Sequence, residues 1–285
     1  TFGYGHQIWM TARKGAFLFN GAFGQYMLAL PDLGVLVVLL SGSSKLFAQG
    51  GVLDYVTDAL DDGLPRPLIP DPRAAEALQT TIASLSARYR EPYFNAAVNR
   101  MPMSELAQRL DGRVYSFAPN IGGLFPMILQ AVHNNFSAGL MQAVFSAGED
   151  GALHLELVEG EEKHRLSFRE GVYTNASVSQ RGDVFEVRAA AEAELTSADE
   201  WAFVAVVHFI ETPFTRVIRF TLAADDSLKI VFDENPSIRD ASDMMLELTG
   251  ITRIEVVRNL MPLLKRDRLQ HTLRTFTTVT VQGKL

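Results

Sequence analysis

The chain has 285 residues, of which 47% are hydrophobic, so it is long enough to bury a substantial core in one or two domains. Its 33 acidic and 26 basic side chains give a formal charge of -7 without a long basic run, which argues against a nucleic-acid partner. The absence of cysteine excludes disulfides, thiolate metal ligands and cysteine nucleophiles.

The N-terminal part of the sequence carries strand and turn signals. Residues 4–10 favour one strand, and residues 15–42 favour two more, joined by the Pro- and Gly-containing turn at residues 31–34. Apolar residues then recur at helical spacing over residues 46–60. This pattern predicts an antiparallel sheet with a helix packed on one face.

Four prolines over residues 64–72 predict a linker, because proline resists regular structure. Two helices are then predicted: one begins with Asp71 as its N-cap and ends before Pro92, and a shorter one covers residues 102–110. We accordingly divide the chain into residues 1–63, a linker-and-helix segment 64–111, and residues 112–285.

From residue 113 onward, short alternating strands and tight turns predict an antiparallel barrel or sandwich. A mixed helical stretch precedes the last strand. The clearest strands cover residues 153–157, 184–190, 201–210, 216–222, 228–232 and 272–281, and the helical stretch covers residues 246–268.

Three motifs follow one another near the start: GYGHQIW at residues 3–9, NGAFGQY at residues 20–26, and a Pro-Asp pair before an apolar strand. This segment resembles the end of the transpeptidase domain of the serine hydrolase superfamily that includes class C β-lactamases, DD-peptidases and related esterases and amidases. In that family a Gly-Tyr-Gly strand precedes the active-site edge strand, a G-x-x-G-Q turn follows it, and a last helix closes the domain. The resemblance implies that the chain begins within such a bacterial domain.

The resemblance places Phe19-Asn20-Gly21 where the family has K-T-G, although Phe19 supplies no cation. It implies that Asn20, Gly21 and Ala22 form one wall of the substrate site, with the Ala22 N–H as half of an oxyanion hole. The sequence has no S-x-x-K, and its Y-x-N triplets at Tyr93 and Tyr173 follow the third element, so they are interpreted as chance matches. We therefore assign no catalytic residue, cofactor or metal, and we expect the nucleophile in a missing N-terminal catalytic portion, which leaves this chain inactive alone.

The remainder is similar to the lipocalin-like β-barrel domains that often follow such hydrolase domains. The similarity rests on GRVYSF at residues 112–117 and FIETPF at residues 209–214. The expected fold class is therefore α+β: a remnant of an antiparallel transpeptidase-like sheet with a helix, then a mainly antiparallel barrel with flanking helices. In relatives the appended domain is accessory to catalysis.

Two other hypotheses stay open: a stand-alone barrel that binds a small ligand, and a barrel that provides a dimer or domain interface. In the first, Phe185, His208 and Phe220 would line the pocket, although a filled core explains them more simply. The carboxyl pair Glu156 and Glu159 is interpreted as exposed charge rather than as an acid–base pair.

The six histidines are scattered without metal-ligand spacing, so no metal is expected. A severed sheet exposes an edge strand and an apolar face, which predicts that the first sixty residues pair with a second copy or with the barrel. The sequence leaves the compartment open between cytoplasm and export.

Overall fold

A computed structural model describes residues 4–43, 51–61, 70–87, 93–94, 100–195, 201–237 and 279–284. The chain divides into two compact units, Thr1–Tyr89 and Arg90–Leu285, and each unit has its own antiparallel sheet. No helix in these described ranges is both long enough and apolar enough to cross a membrane.

The first unit is a five-stranded antiparallel meander in which each strand pairs with the next along the chain. Its described helices follow the sheet. The strands are β1 (Tyr4–Gly5), β2 (Ile8–Met10), β3 (Phe17–Gly21), β4 (Gln25–Leu30) and β5 (Val35–Leu39), and the helices are α1 (Val52–Asp61) and α2 (Pro72–Ala87). The prediction of an antiparallel sheet followed by a helix is confirmed, but the predicted three strands are five, because residues 4–10 form two strands and residues 15–42 form three.

Alternation along β4 explains which face of this sheet is buried. Tyr26, Leu28 and Leu30 point to one side, where they form a core with Ala16 and with Leu53 of α1. The predicted turn joins β4 to β5 and is closed by a hydrogen bond from the Gly34 N–H to the Pro31 carbonyl. The predicted N-cap is also confirmed, because the Asp71 carboxylate accepts hydrogen bonds from two N–H groups in the first turn of α2.

The second unit contains one large antiparallel sheet in the order β10-β9-β8-β7-β16-β15-β14-β13-β12-β11, with β6 also paired to β12. Within the described part of this unit, two short helices accompany the sheet. The strands are β6 (Arg100–Met101), β7 (Val114–Phe117), β8 (Gln142–Ala147), β9 (Leu153–Glu159), β10 (Glu162–Phe168), β11 (Thr174–Gln180), β12 (Asp183–Leu195), β13 (Trp201–Phe209), β14 (Thr215–Leu222), β15 (Leu228–Asn235) and β16 (Val279–Lys284), and the helices are α3 (Met103–Leu110) and α4 (Met127–Val132).

This sheet curls into a barrel-like shape whose inner face is filled with aromatic side chains. Phe203 on β13 and Phe220 on β14 stack with their ring centroids 4.1 Å apart, and Phe145 on β8 meets both rings edge-on. The sheet's two edge strands are joined by a tight connection in which Arg169 and Val172 form an isolated bridge. The curl therefore encloses a packed core, as expected for a small barrel.

Residues 118–140, here called the plug segment, leave the sheet between β7 and β8 and contain α4. Phe125 of this segment is buried among inner-face side chains, with its ring centroid 5.4 Å from that of Phe209 and 5.6 Å from that of Phe185. The plug segment therefore fills part of the space inside the curled sheet. The predicted linker falls largely outside the described residues, as do the helical stretch 246–268 and most of the last predicted strand.

Candidate functional site

The residues expected at the substrate wall lie together where β3 turns into β4. Asn20 and Gly21 end β3, Gly21 pairs with Gln25, and Ala22 begins the turn between them. All three expected residues are half-buried, so the hairpin presents a partly accessible backbone edge.

The turn has little freedom, because it is tied to the chain that follows β5. Phe23 and Gly24 both have positive φ, and a Cβ on Gly24 would lie 2.2 Å from the Ser41 hydroxyl oxygen. That hydroxyl donates a 2.9 Å hydrogen bond to the Gly24 carbonyl, and the Ser43 N–H donates a 2.8 Å bond to the Phe23 carbonyl. The sequence folds tightly here because glycine alone fits both the left-handed conformation and the close approach.

Two features of β3 bear on what this edge can bind. A Cβ on Gly21 would lie 3.1 Å from the Cβ of Gln25, so the position has little room for a side chain. The Asn20 side-chain oxygen is buried and has no hydrogen-bond partner among the described residues. The Asn20 acceptor is therefore not accessible to a ligand in this conformation, and Phe19 has an aromatic ring in place of a charge.

The three predicted pocket residues are not brought together. Phe220 stacks within the core against Phe203, and Phe185 packs near Phe125 toward the other end of β13. His208 alternates with the inward Phe209, so it lies on the opposite face of the sheet, where its ring nitrogen is 2.9 Å from the Thr215 hydroxyl.

The described residues of the two Y-x-N triplets make packing contacts in the second unit. Tyr93 and Phe94 pack against Val204, Val206 and Val217 on the outer face of the sheet. Tyr173 of the second triplet lies under the guanidinium of Arg188, 4.8 Å from its carbon atom.

Sequence reasoning missed a set of four ionisable side chains on the inner face of the curled sheet. They are Glu159 on β9, His164 on β10, Arg216 on β14 and Glu234 on β15, here called the ionic layer, and all four are buried. Glu159 was expected to be exposed, and this expectation is wrong, because residues 153, 155, 157 and 159 alternate inward. The sequence did contain a signal for a buried charge: Glu159 continues the every-second-residue pattern of inward apolar side chains.

The ionic layer binds the plug segment through charge-assisted hydrogen bonds. Arg216 donates to the Gly123 carbonyl and to the Glu234 carboxylate, both at 2.9 Å. The Leu124 N–H donates to Glu159, and the Met127 N–H donates to Glu234, both at 2.6 Å. Arg216, Glu159 and Glu234 therefore each have at least one hydrogen-bond partner, although Glu234 Oε1 has none among the described residues.

Burial changes the protonation of this layer. Desolvation raises the pKa of Glu159 and of Glu234, partly offset by Ser137 at Glu159 and by Arg216 at Glu234. Desolvation also lowers the pKa of His164, whose Nε2 lies 3.8 Å from the Glu159 carboxylate. Both ring nitrogens of His164 lack hydrogen-bond partners among the described residues. The folded protein therefore favours the neutral imidazole.

The ionic layer has the chemistry of a structural clamp, since Arg216 bonds to Glu234, and Arg216, Glu159 and Glu234 all bond to the plug segment. Within the described ranges, no group of three or more His, Asp or Glu side chains is arranged to hold a metal ion. No protein-family model, curated protein or solved structure matches the chain.

Proposed function

We propose that the first unit is the closing part of the catalytic domain of a bacterial β-lactamase-like serine hydrolase, followed by a lipocalin-like accessory domain. The observation that carries this proposal is the tightly held hairpin at Asn20, Gly21 and Ala22. Its context also supports the proposal, because the short strand Tyr4–Gly5 precedes it and α1 follows the sheet. These features occur in the order that the family resemblance requires.

The proposed reaction is acyl transfer from an amide or ester to a serine, then to water. The serine oxygen attacks the substrate carbonyl, the amine or alcohol leaves with a proton, and water then releases the acyl group as a carboxylic acid. The serine and its base would belong to a catalytic portion outside this sequence, which has no S-x-x-K. Alone, this chain would be inactive.

The hairpin suits the part of this reaction that stabilises negative charge. An oxyanion hole needs a backbone N–H held rigidly before the reaction starts, and the bonds from Ser41 and Ser43 hold this turn. The missing side chain at Gly21 lets Gln25 pack closely against the end of β3, which helps to hold the turn. In this proposal the Ala22 N–H donates to the developing oxyanion, and the nucleophile's own N–H completes the hole.

The test replaces Ala22 in the protein that includes the upstream catalytic portion. Ala22→Pro removes the N–H, and kcat for ester hydrolysis should fall by about 10²- to 10³-fold, the usual cost of one oxyanion donor. Ala22→Gly keeps the N–H and is the matched control, for which we expect a change of less than about threefold. Equal activities of a folded Ala22→Pro protein and the control would refute the role of Ala22.

A further inference from the structure

The second unit has a surface cleft of about 460 Å³ that is distinct from the hairpin and from the ionic layer. Arg109 at the end of α3 and Arg113 just before β7 line one part of the cleft. Trp201 at the start of β13, Leu222 at the end of β14 and Asp226 in the following turn line the rest. The volume falls within the range of roughly 300–1,000 Å³ typical of small-molecule sites.

The lining of this cleft is positive within an acidic protein. Two guanidinium groups face one carboxylate, which leaves a net charge of +1, whereas the whole chain carries -7. Arg113 is held in place because its NH1 donates to the Asp226 carboxylate at 2.5 Å and to the Tyr115 hydroxyl at 3.2 Å. Both bonds use NH1, so Nε and NH2 have no partner among the described residues. The geometry therefore presents a positioned donor pair.

The remaining lining includes two apolar side chains that are held in place by the core. Trp201 is 7% exposed and Leu222 is 4% exposed, so both are fixed by the core and show only an edge to the cleft. Arg109 is half-exposed at the rim, where it forms an i,i+4 ion pair with Glu105. Exposed pairs of this kind are weak, so Arg109 can turn toward a bound anion at little cost.

We propose that this cleft binds a small organic anion. Its carboxylate or phosphate head accepts hydrogen bonds from Arg113, whose planar guanidinium matches two oxygens at once. Its apolar or aromatic body lies against Trp201 and Leu222. Asp226 stays paired with NH1 and keeps Arg113 oriented, while Arg109 adds a second positive charge at the rim.

The sequence has two tryptophans, Trp9 and Trp201, so the indole region of a ¹⁵N-edited NMR spectrum will contain two N–H signals. The Trp201 signal provides a direct readout of binding in the cleft. The two signals are assigned with the Trp9→Phe variant. We expect benzoate or phenyl phosphate to shift the Trp201 signal saturably and to leave the Trp9 signal unchanged. Benzamide, a neutral analogue of benzoate, and inorganic phosphate, which lacks the apolar body, should each bind at least about tenfold more weakly.

A matched pair of variants tests the charge requirement without removing any contact of Arg113. Ala224 lines the same cleft and is exposed, so Ala224→Glu adds a negative charge to the rim, and Ala224→Gln adds similar bulk without charge. We expect benzoate affinity to fall about fivefold in Ala224→Glu relative to Ala224→Gln. Arg113→Gln should weaken binding by at least about tenfold, while the outer-face variant Arg165→Gln should not change it.

Preference for benzoate would assign a carboxylate head, and preference for phenyl phosphate would assign a phosphate head. The proposal is overturned if neither anion shifts the Trp201 signal, if both tryptophan signals shift equally, or if Ala224→Glu binds benzoate as well as Ala224→Gln does. These outcomes do not depend on hydrolase activity, so the two proposals fail separately.

Discussion

His164 illustrates how a single buried residue couples stability to pH. Its ring is 1% exposed and faces Glu159 and Phe125. The negative charge of Glu162 acts to raise the pKa of His164, against the larger effect of burial. Desolvation lowers the pKa of His164 in the folded state. Below the unfolded-state pKa of about 6.5, the unfolded chain therefore binds a proton that the folded chain does not bind. The free energy of unfolding should fall as pH drops through that value.

Replacing His164 isolates this contribution. In urea unfolding between pH 7.5 and 5.5, His164→Gln should lose less stability than the unmodified protein, because glutamine does not titrate. Each unit of pKa depression corresponds to about 1.4 kcal/mol of stability lost at low pH. The raised pKa values of Glu159 and Glu234 act in the opposite direction and are common to both proteins. His133→Gln, which changes a half-exposed histidine, is the control, and an identical pH slope for all three proteins would contradict this account.

Gly24 shows a second effect at the residue scale, in which space and backbone conformation can be separated. Gly24 and Gly34 both have positive φ, but an added Cβ meets Ser41 at Gly24 and nothing within 4 Å at Gly34. Gly34→Ala should cost about 1–2 kcal/mol from backbone strain alone. Gly24→Ala should cost a further 1–3 kcal/mol or so, because the side chain forces Ser41 away. Urea unfolding, followed by a signal from the first unit, measures the loss in the free energy of unfolding for each variant. Adding Ser41→Ala to Gly24→Ala should restore part of the lost stability.

At the scale of elements, alternation predicted much of the sheet and failed at the ionic layer. Residues 216–222 and 228–232 were predicted as strands from their period-two pattern, and β14 and β15 contain them. Alternation can place a charge on the inner face, as it does for Glu159, but it does not identify the partners of that charge. Arg216 finds its partners in Gly123 and Glu234, 93 and 18 residues away along the chain, and sequence patterns carry no information about such distant pairings.

The plug segment depends on the ionic layer. Arg216→Met leaves the Glu234 carboxylate buried without its counter-ion, so we expect a loss of about 3–5 kcal/mol in the free energy of unfolding. Hydrogen exchange should also accelerate at the Leu124 and Met127 amides, which donate to this layer. Arg219→Met, on the outer face of the same strand, is the matched control and should change stability by less than about 1 kcal/mol. Equal losses in the two variants would refute the clamp.

The β3–β4 hairpin was not predicted from the residue pattern, which gave two strands over residues 15–42 joined only at residues 31–34, whereas the structure has three strands there. The family resemblance alone indicated a turn over residues 21–25. What sequence could not supply was the support of that turn by Ser41 and Ser43 beyond β5. Phe185, His208 and Phe220 lie on three different strands, so a pocket formed by all three could be predicted only if the register and the inward face of each strand were known. The structure places His208 on the outer face.

For the whole molecule, the two proposals concern different units. The proposed oxyanion-stabilising hairpin lies in the first unit, and the second unit encloses a filled core and carries the surface cleft proposed to bind an anion. A filled interior is the reason that the small-molecule site is proposed at the surface of the second unit. The hydrolase assignment therefore depends on the first unit joining a catalytic portion that this sequence does not contain.

The measurement that tests this central claim is active-site labelling with a fluorophosphonate. The 285-residue chain and the longer protein with its upstream catalytic portion are treated in parallel, and the modified residue is located by mass spectrometry. We predict labelling of one serine within an upstream S-x-x-K motif and no labelling of the shorter chain. Labelling of a serine within these 285 residues, or an unreactive longer protein that is folded, would contradict the account.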